Sequence, residues 1–447
     1  MCLASPNPEP LVEFLTCRVH DRGPHIRMVS VTSSTRSLTL AVALIVGISC
    51  RDDSSTPTDA SPGDTDPALL TTATTPPAFA QISTGLLHTC GVATDSRAYC
   101  WGWNVHGQVG NGMTIYDQRT PALVVGGLRF RQISAGSYHT CGVTTGNRAY
   151  CWGLINHIAV LKPMAVPGGL FFRQVSAGGE NHTCGVTTND RAYCWGVNAV
   201  GELGNGTTDA NRVETVPVAV SGGHLFREVS TGYQHTCGTT LTDRAYCWGR
   251  DDFGQIGDGS SSDLCAYSFN QIPCRKRPTL VAGGYRFRQV VAGGAAGPNV
   301  GTGADGGRSC GVTTDNRALC WGDGSHGQLG NGTRSISSIP RRVSGTLQFR
   351  QISTGESVTC AVTMSNRAYC WGWNYWGPIG DGTTTDRLTP TAVAGSLFFR
   401  QVSTGGVHTC GTTPGSVAYC WGNNGEGELG DGTTLRRLRP RAVVGPM

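Results

Sequence analysis

The chain has 447 residues, and its formal net charge of +5 is small for that length. Such a weak charge provides no case for binding nucleic acid or an acidic membrane surface. Gly is abundant at 64 residues, whereas charged residues make up only 15%. This composition suits many short strands joined by tight turns rather than helices. The 19 cysteines are many for a reducing compartment and predict an oxidising one with structural disulfides.

The first feature along the chain is an apolar run, LTLAVALIVGIS, at residues 38–49. The run is too short to cross a bilayer comfortably as a helix, and arginines precede it. This layout is typical of a secretory signal, which we expect over residues 28–50. Because Met28 would begin a signal of ordinary length, residues 1–27 are a possible upstream extension from a misassigned start.

The apolar run ends at Cys50, and small residues followed by Cys resemble the bacterial lipoprotein signal. The resemblance implies that Cys50 becomes a lipidated N-terminus that anchors the protein to a membrane. Gly47 stands where that signal usually has an aliphatic residue, so an ordinary cleaved signal with an incidental Cys50 is the alternative. Residues 51–77 are rich in Ser, Thr, Pro and Asp and are expected to be a flexible tether. We therefore predict an exported protein, either lipid-anchored in a bacterial cell envelope or secreted.

Residues 78–447 consist of seven copies of a unit of about 50 residues. In each copy nine residues separate two cysteines, and Trp-Gly follows the second cysteine. The pairs are Cys90 with Cys100, Cys141 with Cys151, Cys184 with Cys194, Cys237 with Cys247, Cys310 with Cys320, Cys360 with Cys370, and Cys410 with Cys420. Such self-similarity predicts one repeat architecture rather than several domains.

Each copy contains four short strands, here lettered A to D. Strand A surrounds a P-x-x-V segment, strand B reads FRQVS, strand C reads HTCGVTT and strand D reads RAYCWG. Turn residues separate the strands. The short turn between C and D places the two cysteines opposite each other, so each pair is predicted to form a disulfide within its own hairpin. Metal binding is the alternative, but two cysteines per copy do not converge on one point as zinc requires.

The repeated residues resemble the regulator of chromosome condensation repeat family. Its pattern stands here as I-S-x-G-x-x-H-T at residues 82–89 and W-G-x-N-x-x-G-Q-x-G at residues 101–110. The resemblance implies an all-β fold, a single β-propeller of seven four-stranded antiparallel blades. No strand A precedes the first strand B, whereas an unpartnered strand A follows the last copy at residues 440–444. We therefore predict that the C-terminal strand completes the first blade and closes the ring.

Departures from the repeat gather at one end of the predicted propeller. The B-to-C and D-to-A connections share one face, called here the D-to-A face, and the other connections share the C-to-D face. Residues 250–277 form a long D-to-A connection, 293–309 a long B-to-C connection, and 154–163 lack the usual Gly-rich stretch. Cys265 and Cys274 are predicted to form an eighth bridge there. This variation indicates a binding face, although loops also tolerate neutral insertions.

Three tryptophans and a basic cluster on this face are candidate binding residues: Trp103, Trp373, Trp376, Arg275, Lys276 and Arg277. Exposed aromatics can anchor a partner, and the basic cluster is either a contact patch or a solvated loop. The tether enters before strand B, on the C-to-D face. A lipid anchor would therefore leave the D-to-A face pointing away from the membrane.

Two repeated residue types could suggest chemistry. Histidine precedes the first cysteine in five copies, whereas Arg308 and Val358 replace it in the other two. A position that recurs in most copies is expected to do structural work, and the Trp of strand D is expected to pack in the core. The Gly-rich stretches lack the GK[ST] ending of a phosphate-binding loop. No Ser-His-Asp, Cys-His or paired-carboxylate set stands out from the repeat.

The sequence therefore predicts an exported, membrane-tethered, non-catalytic propeller that binds a protein or a surface ligand through its D-to-A face. We expect a monomer with no cofactor, no metal and no nucleic-acid partner. The first alternative is a guanine-nucleotide exchange factor for a small GTPase, as the founding family member is for Ran, although a signal segment and disulfides argue against a cytosolic or nuclear partner. The second is an enzyme built on a propeller scaffold.

Overall fold

The computed structural model describes residues 75–179, 182–260, 263–267, 270–294 and 306–446. Within these ranges every regular element is a β-strand, and no helix is long and apolar enough to span a membrane. The predicted signal, Cys50 and most of the predicted tether lie outside the described residues, as does most of the long B-to-C connection at 293–309.

The described strands fall into seven consecutive sets. They are β1 (Phe79–Thr84), β2 (His88–Ala93), β3 (Ala98–Trp103) and β4 (Asp117–Leu123) in blade 1; β5 (Phe130–Ala135), β6 (His139–Thr144), β7 (Ala149–Ile155) and β8 (Ile158–Ala165) in blade 2; β9 (Phe172–Ala177), β10 (His182–Thr187), β11 (Ala192–Asn198) and β12 (Asp209–Ala219) in blade 3; β13 (Phe226–Thr231), β14 (His235–Thr240), β15 (Ala245–Arg250), β16 (Asp263–Tyr267) and β17 (Asn270–Leu280) in blade 4; β18 (Phe287–Gly293), β19 (Arg308–Thr313), β20 (Ala318–Gly322) and β21 (Ser337–Arg342) in blade 5; β22 (Phe349–Thr354), β23 (Val358–Thr363), β24 (Ala368–Gly372) and β25 (Arg387–Ala392) in blade 6; and β26 (Gln401–Thr404), β27 (His408–Thr412), β28 (Ala418–Gly422) and β29 (Arg437–Ala442) in blade 7.

Seven antiparallel blades confirm the predicted fold class. Six sheets have four strands, and the fourth blade gains a fifth because β16 pairs with β17 at its outer edge. Within each blade the order is B, C, D, A from the inside outwards, so β1, β5 and the other B strands surround the central channel. The amide of Trp103 donates to the carbonyl of Leu87 at one end of blade 1, and the amide of Phe130 donates to the carbonyl of Ser96 at the other. The B-to-C and D-to-A connections therefore share a face, as predicted.

The predicted closure by the C-terminal strand is wrong. Strand β29 pairs with β28 as the outer strand of blade 7, and blade 1 has its own outer strand in β4. Seven A strands balance seven B-C-D sets whichever blade each A strand joins, so counting them could not decide the phase. The ring closes instead through contacts between blades 7 and 1, among them the Gln401 side-chain amide donating to the carbonyl of Ile82 at 2.8 Å.

A repeated aromatic pair builds the core of the blades. The Phe at or just before the start of strand B and the Trp of strand D lie with ring centroids 5.6–6.1 Å apart in every blade. The Gly of C-G-V in strand C makes room for the Phe ring, since a Cβ on Gly91 would lie 2.5 Å from the ring of Phe79. Both rings are largely or fully buried, so each pair contributes a large apolar area to the core of its blade.

All eight predicted cysteine pairs form disulfides in the structure. The seven hairpin bridges join Cys90 with Cys100, Cys141 with Cys151, Cys184 with Cys194, Cys237 with Cys247, Cys310 with Cys320, Cys360 with Cys370, and Cys410 with Cys420. In each of them the two cysteines are direct cross-strand partners with Cα atoms 4.0–4.1 Å apart. Cys265 and Cys274 join β16 to β17 with Cα atoms 5.9 Å apart. On the chain-entropy model, a bridge that closes a loop of this size contributes about 2–3 kcal/mol to the free energy of unfolding.

A belt of glutamine side chains ties the inner strands together. Gln132 is typical, because its side-chain amide donates to the carbonyl of Val175 while its Oε1 accepts from the amide of the same residue. Blade 4 has Glu228 at this position, and its Oε1 accepts from the amide of Val290 at 3.2 Å. Burial raises the pKa of Glu228 to about 7. Glu228 is therefore the one ionisable side chain at this position of the seven B strands.

Candidate protein-binding face

Six of the seven D-to-A connections carry a four-residue segment, Gly-x-aliphatic-Gly, that fills the wedge between its own blade and the next. We call each segment a plug; the plugs are residues 107–110, 201–204, 254–257, 327–330, 377–380 and 427–430. The aliphatic residue of each plug is fully buried against the Trp of the next blade, as Leu203 is against Trp248. The last Gly lies on that indole, since a Cβ on Gly204 would be 2.7 Å from Trp248 Nε1.

The second residue of each plug offers its backbone carbonyl to the next blade. At the interface of blades 3 and 4, the carbonyl of Glu202 accepts from Trp248 Nε1 at 2.8 Å and from Thr236 Oγ1 at 3.0 Å. The equivalent bonds recur at the other five plugs. This residue is Gln or Glu in five plugs, where its side-chain oxygen accepts from the backbone amide two residues earlier, and Pro in the sixth.

The repeated histidines tie five of the seven blades to the next blade. His88 Nε2 lies 2.9 Å from Thr140 Oγ1, and His139, His182, His235 and His408 make the same contact with a Thr or Ser of their neighbour. Where plugs are present, the hydroxyl already donates to the plug carbonyl, so the imidazole donates from Nε2. The histidines, like the strand D tryptophans, are buried structural residues.

Blade 2 is the exception, because it has no plug. Strands β7 and β8 are joined directly by Asn156 and His157, which both adopt positive φ. Trp195 of blade 3 therefore finds no hydrogen-bond acceptor among the described residues and is 8% exposed, whereas the other six strand D tryptophans are fully buried. A cavity of about 290 Å³ lies beside it.

Two aromatic clusters lie on the D-to-A face. Trp373 stacks on Tyr375 with centroids 5.7 Å apart, and Trp376 meets Tyr375 edge-on at 4.9 Å. Trp103 lies against His106 at 5.1 Å and against Tyr138 of the next blade at 6.0 Å. Tyr375 is 54% exposed, and the three tryptophans are half-buried. The structure thus brings the three predicted tryptophans onto one face, in two separate groups.

The basic cluster does not lie in a loop, which corrects that part of the prediction. Arg275, Lys276 and Arg277 lie on β17, whose Arg275 is paired with Gly249 of β15. Arg275 forms an ion pair with Asp258 that is largely buried, with the two side chains 14% and 9% exposed. Its position in the sheet equals that of Arg387 and Arg437 in blades 6 and 7.

This equivalence identifies Arg275 as a scaffold residue. Arg387 and Arg437 pair in the same way with Asp381 and Asp431 of the G-D-G that follows each plug. The pairing of Asp with Arg could have been found by comparing the seven copies. Copies that have G-N-G in place of G-D-G lack an Arg at the sheet position of Arg387 and Arg437. The β16–β17 insertion hid it by moving the Arg further along the chain.

Described residues that follow the B strands, among them Gly85, Gly178 and Gly355, meet at the mouth of the central channel around a small cavity of about 80 Å³. Arg308, at the histidine position of blade 5, is fully buried and donates to the carbonyls of Gly355, Glu356 and Val358. It thereby reaches into blade 6, where Val358 replaces the histidine. Burial raises the pKa of Glu356 to about 8, and the nearby Arg308 opposes that rise. Within the described ranges, no group of three or more potential ligands is arranged to hold a metal.

Seven blades are joined by hydrogen bonds between neighbours and carry aromatic side chains on the D-to-A face. Together these features define a β-propeller scaffold of the repeat-protein type. Two models with the description "Regulator of chromosome condensation (RCC1) repeat" match the chain, one at residues 95–143, 189–238, 315–362 and 365–411 and the other at residues 79–108, 130–157, 172–202 and 226–255. Together these ranges cover more than half of the chain. The protein therefore belongs to the RCC1-repeat family.

Two relatives show how far the sequence similarity extends. The chain is 26% identical to the ultraviolet-B receptor UVR8 of Arabidopsis thaliana over 275 residues, which are 59% of this chain and 57% of UVR8. It is 27% identical to the E3 ubiquitin-protein ligase HERC2 of Homo sapiens over 277 residues, which are 59% of this chain but 5% of HERC2. The chain thus spans less than two thirds of each relative.

Similar solved structures agree on the fold. Human WBSCR16 matches with a TM-score of 0.66 at 19% identity, over 78% of this chain and 93% of its own. Prp20p of Saccharomyces cerevisiae matches with a TM-score of 0.64 at 17% identity, over 79% and 87%. At these identities the likeness concerns the fold alone.

Proposed function

We propose that this protein is a non-catalytic binding propeller that engages a partner protein through its D-to-A face. The observation that carries the proposal is the aromatic cluster of Trp373, Tyr375 and Trp376 in the D-to-A connection of blade 6. Large, rigid aromatic side chains dominate the binding energy of protein interfaces, because they bury much area at a small entropic cost. RCC1 repeats occur in relatives as different as an ultraviolet-B receptor and an E3 ubiquitin-protein ligase. This distribution is consistent with a binding module that serves different functions.

The exposure of aromatic side chains does not by itself identify the binding face, because the C-to-D face also has exposed aromatic side chains. Phe171 is 49% and Phe398 is 51% exposed. Each of them lies under an arginine of its own surface, with Arg148 4.2 Å and Arg367 4.9 Å from the ring centroids. These rings already have cation–π partners, whereas Arg436 donates to the backbone carbonyl of Tyr375 and the Tyr375 ring packs against Trp373 and Trp376. The clustered tryptophans therefore favour the D-to-A face.

Export and membrane tethering form the second part of the proposal. The signal-like segment at residues 28–50, with Cys50 at its end, and the cysteine pairs at disulfide distance both support it. The amide of Thr94, in a C-to-D turn, donates to the carbonyl of Ala78. The chain therefore enters the propeller on the C-to-D face, so a lipid on Cys50 would leave the D-to-A face pointing away from the membrane.

Site-specific photocrosslinking tests the choice of face. A photoreactive phenylalanine analogue is placed at Tyr375, and, as a matched control of nearly equal exposure, at Phe398. Both full-length proteins are irradiated in the presence of envelope and secreted proteins from the source cells. We expect a discrete protein adduct from position 375 and none from position 398. Adducts of equal yield at both positions, or from 398 alone, would overturn the proposed face.

Labelling with a clickable fatty acid tests the tether. The wild-type chain is expected to incorporate the label and to sediment with membranes, and Cys50→Ser is expected to lose both properties. Cys17→Ser is the control, because that cysteine lies upstream of the predicted signal. Unlabelled wild-type protein would remove the lipid anchor from the proposal, and equal labelling of both variants would place it elsewhere.

The two alternatives, an exchange factor and an enzyme, stay predictions. The Prp20p structure is described together with binding to Gsp1p and histones, which concerns that protein. No feature of the described residues specifically favours either alternative.

A further inference from the structure

We propose that the gap between blades 2 and 3 binds an extended peptide segment of a partner protein, of the form Gly-x-aliphatic-Gly, which takes the place of the missing plug. The site rests on the proposed protein-binding function and gives it a second, more specific contact. The six occupied interfaces of the same molecule show what such an occupant looks like.

The cavity is built between named strands of the two blades. Its walls come from β6, β7 and β8 of blade 2 and from β10, β11 and β12 of blade 3. The lining is largely apolar and includes Leu154, Ile155, Met164, Val166 and Trp195. Its volume of about 290 Å³ lies near the lower end of the range of about 300–1,000 Å³ for ligand pockets. An aliphatic side chain fits this space and this chemistry.

Two polar groups in the wall match the donors that hold a plug elsewhere. In six interfaces the indole N–H and a Thr or Ser hydroxyl of the next blade donate to one plug carbonyl. Here the corresponding groups are those of Trp195 and Thr183, which both line the cavity. Thr183 Oγ1 lies 2.9 Å from His139 Nε2, as four of its counterparts lie close to a histidine, but no described residue supplies the carbonyl. A peptide carbonyl at this point would complete the set.

The occupant's sequence follows from the same comparison. A carbonyl must precede the aliphatic residue, because in each plug the accepting group belongs to the residue just before it. A Gly must follow, because any Cβ there would collide with the indole, as it would 2.7 Å from Nε1 at Gly204. The residue that supplies the carbonyl is Gln, Glu or Pro, as in Gln108, Glu202 and Pro378, and a Gln or Glu there also accepts from the backbone amide two residues earlier.

A synthetic copy of one of the protein's own plugs is the probe. The peptide has the sequence of residues 325–333, SHGQLGNGT, with an acetylated N-terminus and an amidated C-terminus. We expect it to bind the full-length chain with a dissociation constant of about 0.1–1 mM, as befits a short flexible ligand. In spectra of ¹⁵N-Trp-labelled protein, the indole N–H signal of Trp195 should shift as its new hydrogen bond forms. A matched peptide with Leu329→Ser should give no shift.

Two equivalent tryptophans provide the variants. Trp195→Phe removes the donor that faces the cavity and should weaken peptide binding about fivefold, while lowering the melting temperature less than Trp248→Phe does because no plug bond is lost. Trp248→Phe removes a donor that already serves a plug, so it should lower the melting temperature and leave peptide binding unchanged. The contrast separates loss of binding from loss of folding.

Several outcomes would overturn the proposal. They are an unshifted Trp195 signal at saturating peptide, equal binding of the Leu329→Ser peptide, and unchanged binding by Trp195→Phe. A Trp195 indole that is already protected from exchange in the free monomer would assign the site to a segment of the chain itself. A dimer that Trp195→Phe dissociates would assign it to a second copy. The crosslink at Tyr375 does not involve blades 2 and 3, so it reports separately on the proposed function.

Discussion

The interface between blades 2 and 3 and the interface between blades 3 and 4 use the same parts, except that the first has no plug. Both have the histidine contact, His139 to Thr183 at 2.9 Å and His182 to Thr236 at 3.2 Å. Both also have the inner glutamine link, in which Gln132 and Gln174 bond to the next blade at 2.9 and 2.8 Å. The inner half of an interface therefore keeps its geometry without the outer half.

The outer half responds differently. Trp248 is fully buried beneath its plug, whereas Trp195 is 8% exposed beside an open cavity. Cys151, which lines the same cavity, is 4% exposed, whereas the other hairpin cysteines are fully buried. The inner glutamine link and the histidine contact thus persist without a plug, whereas the outer wedge is sealed at the six interfaces that have one. A wedge left open is thus available for binding without a change of fold.

Acidification should produce the largest loss of stability, because it acts on all of the histidine contacts together. Burial lowers the pKa of the four histidines beside plugs to about 3 and that of His139, beside the cavity, to about 4. An unfolded histidine titrates near pH 6.5, so the unfolded state binds more protons below that pH. The stability that neutral histidines contribute is therefore complete above about pH 6.5 and is lost as the pH falls towards 3. The slope is about 1.4 kcal/mol per pH unit for each histidine.

Three buried glutamates act in the opposite direction over part of this range. Burial raises the pKa of Glu228 and Glu428 to about 7 and that of Glu356 to about 8. Their folded forms hold a proton that the unfolded chain releases above about pH 4.5, so their contribution grows as the pH falls to that point. We therefore expect unfolding free energy to be highest near pH 6.5 and to fall most steeply below pH 4.5.

Chemical denaturation at a series of pH values measures this profile, and hydrogen exchange locates the weak point. Because His139 is 3% exposed beside the cavity whereas the other four histidines are fully buried, we expect the amides of β6 at the open interface to lose protection at a higher pH than those of β14 at the plugged interface. A constant free energy of unfolding between pH 6 and pH 4 would contradict the expected role of the histidines. Loss of amide protection at the same pH in both interfaces would contradict the expected difference between the open and the plugged interface.

Shortening a buried plug residue should have the next largest effect. Leu203→Ala removes a fully buried side chain and leaves a cavity against Trp248. We expect a loss of about 2–5 kcal/mol in the free energy of unfolding, measured by chemical denaturation. Ile155→Ala is the matched change at the open interface, where the side chain is only half-buried and lines an existing cavity, and it should cost about 1 kcal/mol. Equal losses would show that the cavity is not open in solution.

The sequence predicted the repeated parts of this structure well. The seven hairpins with facing cysteines and the shared face of two sets of loops both follow from residues that recur at fixed spacing, whereas the inner position of strand B comes from the structure alone. The phase of the blades did not follow, because strand A at residues 440–444 continues the count equally well in blade 1 or blade 7. Only the hydrogen bonds between β28 and β29 decide that point.

The open interface was visible in the sequence only as a deviation. Blade 2 reads Trp152-Gly153-Leu154-Ile155, so it lacks both the Asn and the plug that follow in the other copies that carry W-G-x-N. In blade 1, that Asn holds the plug in place, since Asn104 Oδ1 accepts from the amide of Val109. The consequence for Trp195 could not be foreseen, because the plug of one blade serves the tryptophan of the next. A contact between copies leaves no signal within the spacing of a single copy.

Restoring the missing plug should have the smallest effect on stability and the clearest effect on the site. Residues 154–159 of blade 2 are replaced by residues 103–117 of blade 1, which lie between equivalent positions because Gly153 pairs with Val160 as Gly102 pairs with Gln118. The buried valine and two new hydrogen bonds offset the cost of ordering a longer connection, so the unfolding free energy should change by only about 1 kcal/mol.

The informative measurement on this graft is the indole of Trp195. Its N–H should exchange with solvent as slowly as those of the plugged tryptophans, and the SHGQLGNGT peptide should no longer bind. A second graft with Val109→Ser is the control, because it keeps the length and the carbonyl of the connection but lacks the apolar anchor; it should protect the indole less and leave residual peptide binding. If the first graft left both the indole exchange and the peptide affinity of the wild type unchanged, the plugs would not be what distinguishes the six closed wedges from the open one.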